Sequence, residues 1–181
     1  MAIIPNHWEQ LTSNLQSCHS AAAVFFDGCI YVTGGVNGVG TVIATATKYT
    51  ITTDTWATIS SLNQARYGHN LVVVDGNLYA LGGYTNSSSP AGNYLSSIEE
   101  YDPTTDAWTT KTGVLVTARA YAGAAVYDDT IYILGGNSGS VLTSIESYVP
   151  ATDTVVGMTA TLSSARDGIV AATIQDKIFA V

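Results

Sequence analysis

Three glycine pairs, Gly34-Gly35, Gly82-Gly83 and Gly135-Gly136, stand 48 and 53 residues apart along the chain. Each closes the same short unit. In Leu71-Val-Val-Val-Asp-Gly-Asn-Leu-Tyr-Ala-Leu-Gly82-Gly83 an apolar run reaches Asp75-Gly76, resumes, and stops at the pair. A turn dipeptide between two apolar runs predicts a tight β-hairpin, because a type I′ turn needs positive φ at both central residues. Asp27-Gly28 and Asp128-Asp129 hold the same place before the other pairs. The glycines let backbone approach neighbours that a Cβ would keep away. A chain built this way is a series of like sheets, and periodicity on this scale marks an array or a propeller.

Other positions keep step with the glycines. Sixteen residues before each pair stand Cys18, Arg66 and Arg119, and after each pair come Tyr49, Tyr101 and Tyr148. Seven residues beyond each tyrosine lie Trp56, Trp108 and Val155, reached through Thr-Thr-Asp-Thr, Thr-Thr-Asp-Ala and Ala-Thr-Asp-Thr. A fourth copy starts at Arg166 and runs to Val181. Tyrosine and tryptophan suit seams between sheets, where large rings are buried and their OH and N–H reach backbone partners. Asp102-Pro103 sets a turn between third and fourth strands. Val155 breaks the pattern, so the third unit should pack less well on its neighbour, and Cys18 in the arginine position is a second departure.

Glycine pair, Tyr, Trp, Arg and turn agree in order and spacing over essentially the whole chain, and in this the sequence resembles kelch repeats. The resemblance implies an all-β fold of kelch-type β-propeller blades, four strands to a blade. The first blade is expected at about 20–58 (strands near 20–26, 29–33, 43–49 and 54–58). The second is expected at about 68–110 (68–74, 78–82, 95–101, 106–110) and the third at about 121–157 (121–127, 131–135, 142–148, 153–157). A partial blade at 168–181 has strands 168–174 and 177–181, and Trp8 marks an outer strand at 7–12. A propeller removes exposed edges by closing radially. An arc of blades can close in three ways: as part of a longer ring, as a homo-oligomer whose copies lend their first strand to the next, or as a small four-bladed ring.

Composition narrows the function classes. Only 11% of the 181 residues are charged, and the formal charge is −8 with six basic residues. A nucleic-acid binder needs clustered Lys and Arg to displace counterions, so that class is excluded. There is no apolar run of membrane-spanning length and no signal-peptide pattern, which leaves a soluble chain of open compartment. Cys18 and Cys29 are the two cysteines. Hairpin register puts position 26 opposite 29 and position 18 opposite about 37, so no disulfide is expected between them.

The loops entering the first strands and those following the glycine pairs share one face. It carries Arg66, Arg119 and Arg166, with Tyr67, His69, Tyr84, Asn37 and Asn137 near them. Two readings of the arginines stand side by side. Three guanidiniums could grip carboxylates in bidentate fashion. Alternatively each is the repeat's own structural residue, bonding loop carbonyls of the neighbouring blade, as repetition at every blade implies. The loop Tyr84–Tyr94 varies most between repeats, as binding loops often do, and holds the sequon Asn86-Ser87-Ser88. His7, His19 and His69 lack ligand spacing, so no metal or cofactor is expected. Glu99 and Glu100 face opposite sides of their strand, and with Glu146 they read as solvated residues.

No nucleophile elbow, phosphate loop or metalloprotease motif occurs. The expectation is a non-catalytic module binding a protein or peptide through the arginine-bearing face. The alternative is a carbohydrate-binding or adhesin-like propeller. A sugar-modifying enzyme of the mutarotase or galactose-oxidase type, which the resemblance also brings in, comes third.

Overall fold

The computed structural model describes residues 12–13, 17–86 and 93–181. The expected outer strand around Trp8 and most of the Tyr84–Tyr94 loop lie outside the described residues. Sixteen strands follow in order: β1 (Cys18–His19), β2 (Ala22–Phe26), β3 (Cys29–Thr33), β4 (Val36–Asn37), β5 (Ala46–Thr50), β6 (Thr55–Ile59), β7 (Asn70–Val74), β8 (Asn77–Leu81), β9 (Ile98–Asp102), β10 (Ala107–Thr110), β11 (Gly123–Tyr127), β12 (Thr130–Leu134), β13 (Ser144–Val149), β14 (Thr154–Thr161), β15 (Ala171–Ile174) and β16 (Lys177–Ala180). A 3-10 turn at Pro150–Thr152 is the one helical element among the described residues, and no helix there is long and apolar enough to cross a membrane.

The strands assemble into three four-stranded antiparallel sheets, β2-β3-β5-β6, β7-β8-β9-β10 and β11-β12-β13-β14, followed by the hairpin β15-β16. The first strands β2, β7, β11 and β15 neighbour one another in succession, so the sheets stand as vanes about one axis. The type I′ turns form as the dipeptides predict: φ is 46° and 70° at Asp27-Gly28, and 49° and 81° at Asp75-Gly76. The pairs without glycine, Asp128-Asp129 and Gln175-Asp176, adopt the same left-handed geometry, which Asp tolerates better than most side chains.

The core lies at the seams between vanes. Leu78, Ala80, Tyr101 and Trp108 of the second vane pack with Tyr31, Ala46 and Ile59 of the first. From the same strands Tyr79, Leu81 and Ile98 point the other way and pack with Ile131, Ile133 and Tyr148 of the third. Strand alternation thus splits one sequence between two cores, which is why β8 is apolar on both faces.

Each repeat tyrosine leaves its seam at the hydroxyl, but its partner is a carboxylate and not backbone. Tyr49, Tyr101 and Tyr148 donate to Asp54, Asp106 and Asp153 at 2.7, 2.8 and 2.9 Å. Those aspartates hold φ near 50°, closing the turn before the fourth strand. The indoles do reach backbone: Trp108 Nε1 donates to Ser60 O and Trp56 Nε1 to Thr12 O, both at 2.8 Å. Val155 has no such donor. There Asp153 holds the vanes together by accepting from the Thr112 amide and hydroxyl and from the Gly113 amide.

Cys18 pairs with Asn37 and Cys29 with Phe26, and both thiols are free.

Candidate functional site

The repeat arginines sit where successive vanes meet. The amides of Gly35, Gly83 and Gly136 donate to the carbonyls of Arg66, Arg119 and Arg166 at 2.9, 2.8 and 2.9 Å. The arginine backbone is thereby tied to the preceding vane while its side chain enters the following one. Arg66 Nη1 donates to Gly82 O and Ser97 O, and Nη2 to Ser97 Oγ and Glu99. Arg119 repeats the set with Gly135 O, Ser144 O, Ser144 Oγ and Glu146. The side chains bond within their own blade, and the backbone supplies the link to the neighbouring blade.

Glu99 and Glu146 are thus not solvated, contrary to the sequence reading. They are 1% and 2% exposed, and a carboxylate there persists because its charge is paired and its remaining lone pairs are filled. Glu99 accepts the amides of Asn63 and Gln64, and Glu146 those of Val116 and Thr117. Burial lowers the pKa of both guanidiniums, and the facing carboxylates push it back up. The first vane carries Cys18 and the buried Thr47 in place of this Arg–Glu pair.

A second repeating feature runs along the axis. Gly68 N donates to Ser20 O at 3.0 Å, Tyr121 N to Gly68 O at 2.8 Å and Gly168 N to Tyr121 O at 2.8 Å. All four residues hold positive φ, between 52° and 65°. Above them lies a depression of about 220 Å³ bordered by Ser20, His69, Asn70 and Tyr121.

Beside this depression the structure gathers tyrosines. Tyr67 and Tyr84 stack with centroids 5.1 Å apart, Tyr94 lies 4.4 Å from Tyr84, and Tyr121 sits 5.8 Å from Tyr84 and 6.3 Å from Tyr67. Tyr94 Oη donates to Asn137 Oδ1 at 2.8 Å, and Asn137 Nδ2 donates to Asp167 at 3.0 Å. Of the residues singled out in the sequence, Tyr67, Tyr84 and Asn137 therefore meet. Asn37 serves its own loop, accepting from Val39 N and Thr41 N. Arg66 and Arg119 lie beneath, 0% and 1% exposed, and Arg166 is half-buried at the rim. Tyr94, Tyr121 and Asp167 were not singled out. Tyr121 was findable, since it stands two residues after a repeat arginine where the other copies have Ser20, Gly68 and Gly168. A larger cavity, about 440 Å³, opens at the opposite end between Tyr31, Lys48, Asp75 and Thr104. Among the described residues no group of three His, Cys, Asp or Glu is placed to hold a metal ion.

His69 is buried at the inner edge of the site, sharing a 2.9 Å hydrogen bond with Thr33 Oγ1 through Nε2, while Nδ1 has no partner among the described residues. Burial first, and the Arg66 charge second, bring its pKa down to about 3. The ordinary histidine value is near 6.5, so between about pH 6.5 and 3 the unfolded chain binds a proton that the folded chain refuses. The sign is fixed: stability is full above about pH 6.5 and falls as the solution is acidified, by up to about 1.4 kcal/mol per pH unit. Urea midpoints at pH 7, 6 and 5 should decline in the wild type and flatten in His69→Gln. Equal slopes in both proteins would remove His69 as the cause.

Comparison with known proteins agrees with the geometry. Residues 5–181 match the family profile of the KLHDC2/KLHL20/DRC7 Kelch-repeats domain. Beta-scruin of Limulus polyphemus is 29% identical over 139 residues, covering 72% of this chain and 14% of that protein. Kelch-like protein 26 of Danio rerio is 32% identical over 139 residues, covering 74% and 22%. The Kelch-like protein terF of Aspergillus terreus is 36% identical over 124 residues, covering 65% and 26%. The chain thus spans between a seventh and about a quarter of the length of these relatives. In fold it resembles the solved structure of YjhT, with a TM-score of 0.77 at 20% identity over 89% of this chain and 58% of that one. Radial vanes, glycine-pair junctions and the family match together place the chain in the kelch-repeat family.

Proposed function

We propose that the chain is a non-catalytic binding module for a protein or peptide, and that its contact surface is the tyrosine-bearing rim of the axial depression. The observation that carries the reading is the exposed Tyr121 with the half-buried Tyr67 and Tyr94, all three packed about the buried Tyr84 at that rim. Tyrosine presents a large rigid surface with a polar tip and loses little conformational freedom on contact, and such residues dominate the energetics of protein interfaces. Asn137 and Asp167 add polar partners beside it. Arg166 lies at the edge of this surface. Arg66 and Arg119 act as clamps beneath it and not as contacts, because their donors are taken up inside the blade. Similarity to Kelch-like proteins supports a protein ligand. A glycan is the second reading, since sugars also stack on exposed tyrosine rings.

The test is selection of peptides from a random display library on the purified protein, with affinities measured by calorimetry. Tyr121→Asn keeps a residue that tolerates the left-handed backbone and removes the ring. It should weaken selected peptides at least tenfold while the melting temperature moves by only a few degrees. Tyr67→Ala should act in the same direction. Peptides indifferent to both substitutions would end this reading, and hits on a glycan array that Tyr121→Asn abolishes would replace it with the second.

A further inference from the structure

Seams between vanes repeat, so the seam between the first and second vanes can be set position by position against that between the second and third. On the second vane Tyr79 pairs with Glu100 across β8 and β9, and that carboxylate closes a polar network in its seam. Tyr79 Oη donates to Glu100 Oε1 at 2.6 Å, Asn77 Nδ2 to the same oxygen at 2.8 Å, and Lys111 Nζ to Oε2 at 2.7 Å. On the first vane the matching cross-strand pair is Tyr31 with Lys48. Cys29 stands after its turn dipeptide where Asn77 stands, and Ile59 follows its tryptophan where Lys111 does. The tyrosine is kept, but a cation occupies the place of the carboxylate that would accept its proton. Among the described residues neither Tyr31 Oη nor Lys48 Nζ has a hydrogen bond or ion pair. Asp106 across the seam feels the Lys48 charge, but its Oδ1 accepts from Ser60 N and Tyr101 Oη. Tyr31 is buried, which raises its pKa, so the hydroxyl holds its proton and remains a donor.

We propose that the cavity beside this pair is a binding site for a small, partly apolar monocarboxylate, whose carboxylate takes the place between Tyr31 and Lys48 that the Glu100 carboxylate takes between Tyr79 and Lys111. The cavity measures about 440 Å³ and is lined by both residues, and small-molecule sites run from roughly 300 to 1,000 Å³. Phe26, Cys29 and Pro103 give it apolar walls for the body of the ligand. A carboxylate there would accept from a hydroxyl and an ammonium, and charge-assisted bonds of this kind are about twice as strong as neutral ones. A neutral isostere would leave the half-buried ammonium without a countercharge. Asp27 and Asp75 line the same cavity from exposed hairpin turns. They would meet a second carboxylate with like charge, which selects against diacids. The site lies at the other end of the axis from the tyrosine rim, so it stands independently of the peptide-binding reading.

The probes are hexanoate, its neutral counterpart hexanamide, and adipate, the diacid of the same length. Each is titrated into the whole chain at about pH 7, where a carboxylic acid is ionised, and followed by backbone amide NMR. Shifts are expected at residues 26–31, 48 and 75–77, and hexanoate should bind at least tenfold more tightly than either of the other two. In Lys48→Met protein hexanoate and hexanamide should bind alike, and Tyr31→Phe, which keeps the ring, should weaken hexanoate severalfold. No shift in the cleft at tens of millimolar hexanoate overturns the proposal. So does hexanamide or adipate binding as tightly as hexanoate, or a preference for the acid that survives Lys48→Met. The comparison of the three probes on the wild-type chain decides the matter even where a variant fails to fold.

Discussion

Arg119→Ala is expected to destabilise the chain by about 3–5 kcal/mol, because it strands a carboxylate that has no route to water. Glu146 is buried, and after the substitution it would keep the amides of Val116 and Thr117 but lose its countercharge. The carbonyls of Gly135 and Ser144 would lose their side-chain donor in the same step. Arg66→Ala should cost a similar amount through Glu99, Gly82 and Ser97. A loss of this size approaches the whole stability of many domains. Arg166→Ala is the built-in control: same residue type, same backbone junction, one hydrogen bond to lose, and an expected cost under about 1 kcal/mol. Replacing both partners, as in Arg119→Met with Glu146→Leu, should recover much of the loss, since no charge is then left buried. Urea unfolding of the four proteins decides the matter. If Arg119→Ala unfolds at the same midpoint as Arg166→Ala, the clamp role is wrong and the ligand role for Arg119 returns.

The contrast between what was legible in the sequence and what was not turns on periodicity. Turn dipeptides, glycine pairs and seam aromatics recur at fixed offsets from one another, so self-comparison exposes them, and strand alternation then fixes which residues face which seam. The pairing of Cys18 with Asn37 followed from counting outward from one hairpin turn. Glu99 and Glu146 escaped because they read as solvated strand residues and no fixed offset ties them to the repeat arginines. Their separations from the arginines they pair with are 33 and 27 residues, since the loop before the third strand differs in length between the blades. Counted from Tyr101 and Tyr148 instead, both lie two residues upstream. A strand register is transmitted through paired neighbours and not through a variable loop. The tyrosine rim is a different case. Tyr94 lies in a loop that differs from repeat to repeat and carries no spacing signal, whereas Tyr121 shows only as a departure at a fixed offset from a repeat arginine, where the other copies carry Ser or Gly. That is also why such a surface can be specific to this chain while the clamps beneath it recur.

The glycine pairs give the other large effect. At Gly82 the φ is +63°, and a Cβ would stand 2.4 Å from the carbonyl oxygen of Arg119. At Gly34 the φ is +62° and the Cβ would meet Arg66 O at 2.3 Å. The obstructing atom in both is backbone that is itself locked by the neighbouring bond from Gly83 or Gly35, so it has nowhere to go. Gly82→Ala therefore adds a left-handed strain of about 1–2 kcal/mol to an overlap that costs roughly 1–3 kcal/mol when a packed interior must shift. The sum is about 2–5 kcal/mol. Gly168 separates the two contributions: its φ is +65°, close to that of Gly82, and a Cβ there meets no atom within 4 Å, so Gly168→Ala should carry the backbone strain alone. A gap of 2 kcal/mol or so between the two variants in urea unfolding would show that close approach of the next repeat's arginine backbone, beyond turn geometry, is what demands glycine there. Equal costs would mean the vanes can slide apart by the needed ångström, and rigid docking of arginine backbone against the preceding vane would have to be abandoned along with the clamp built upon it.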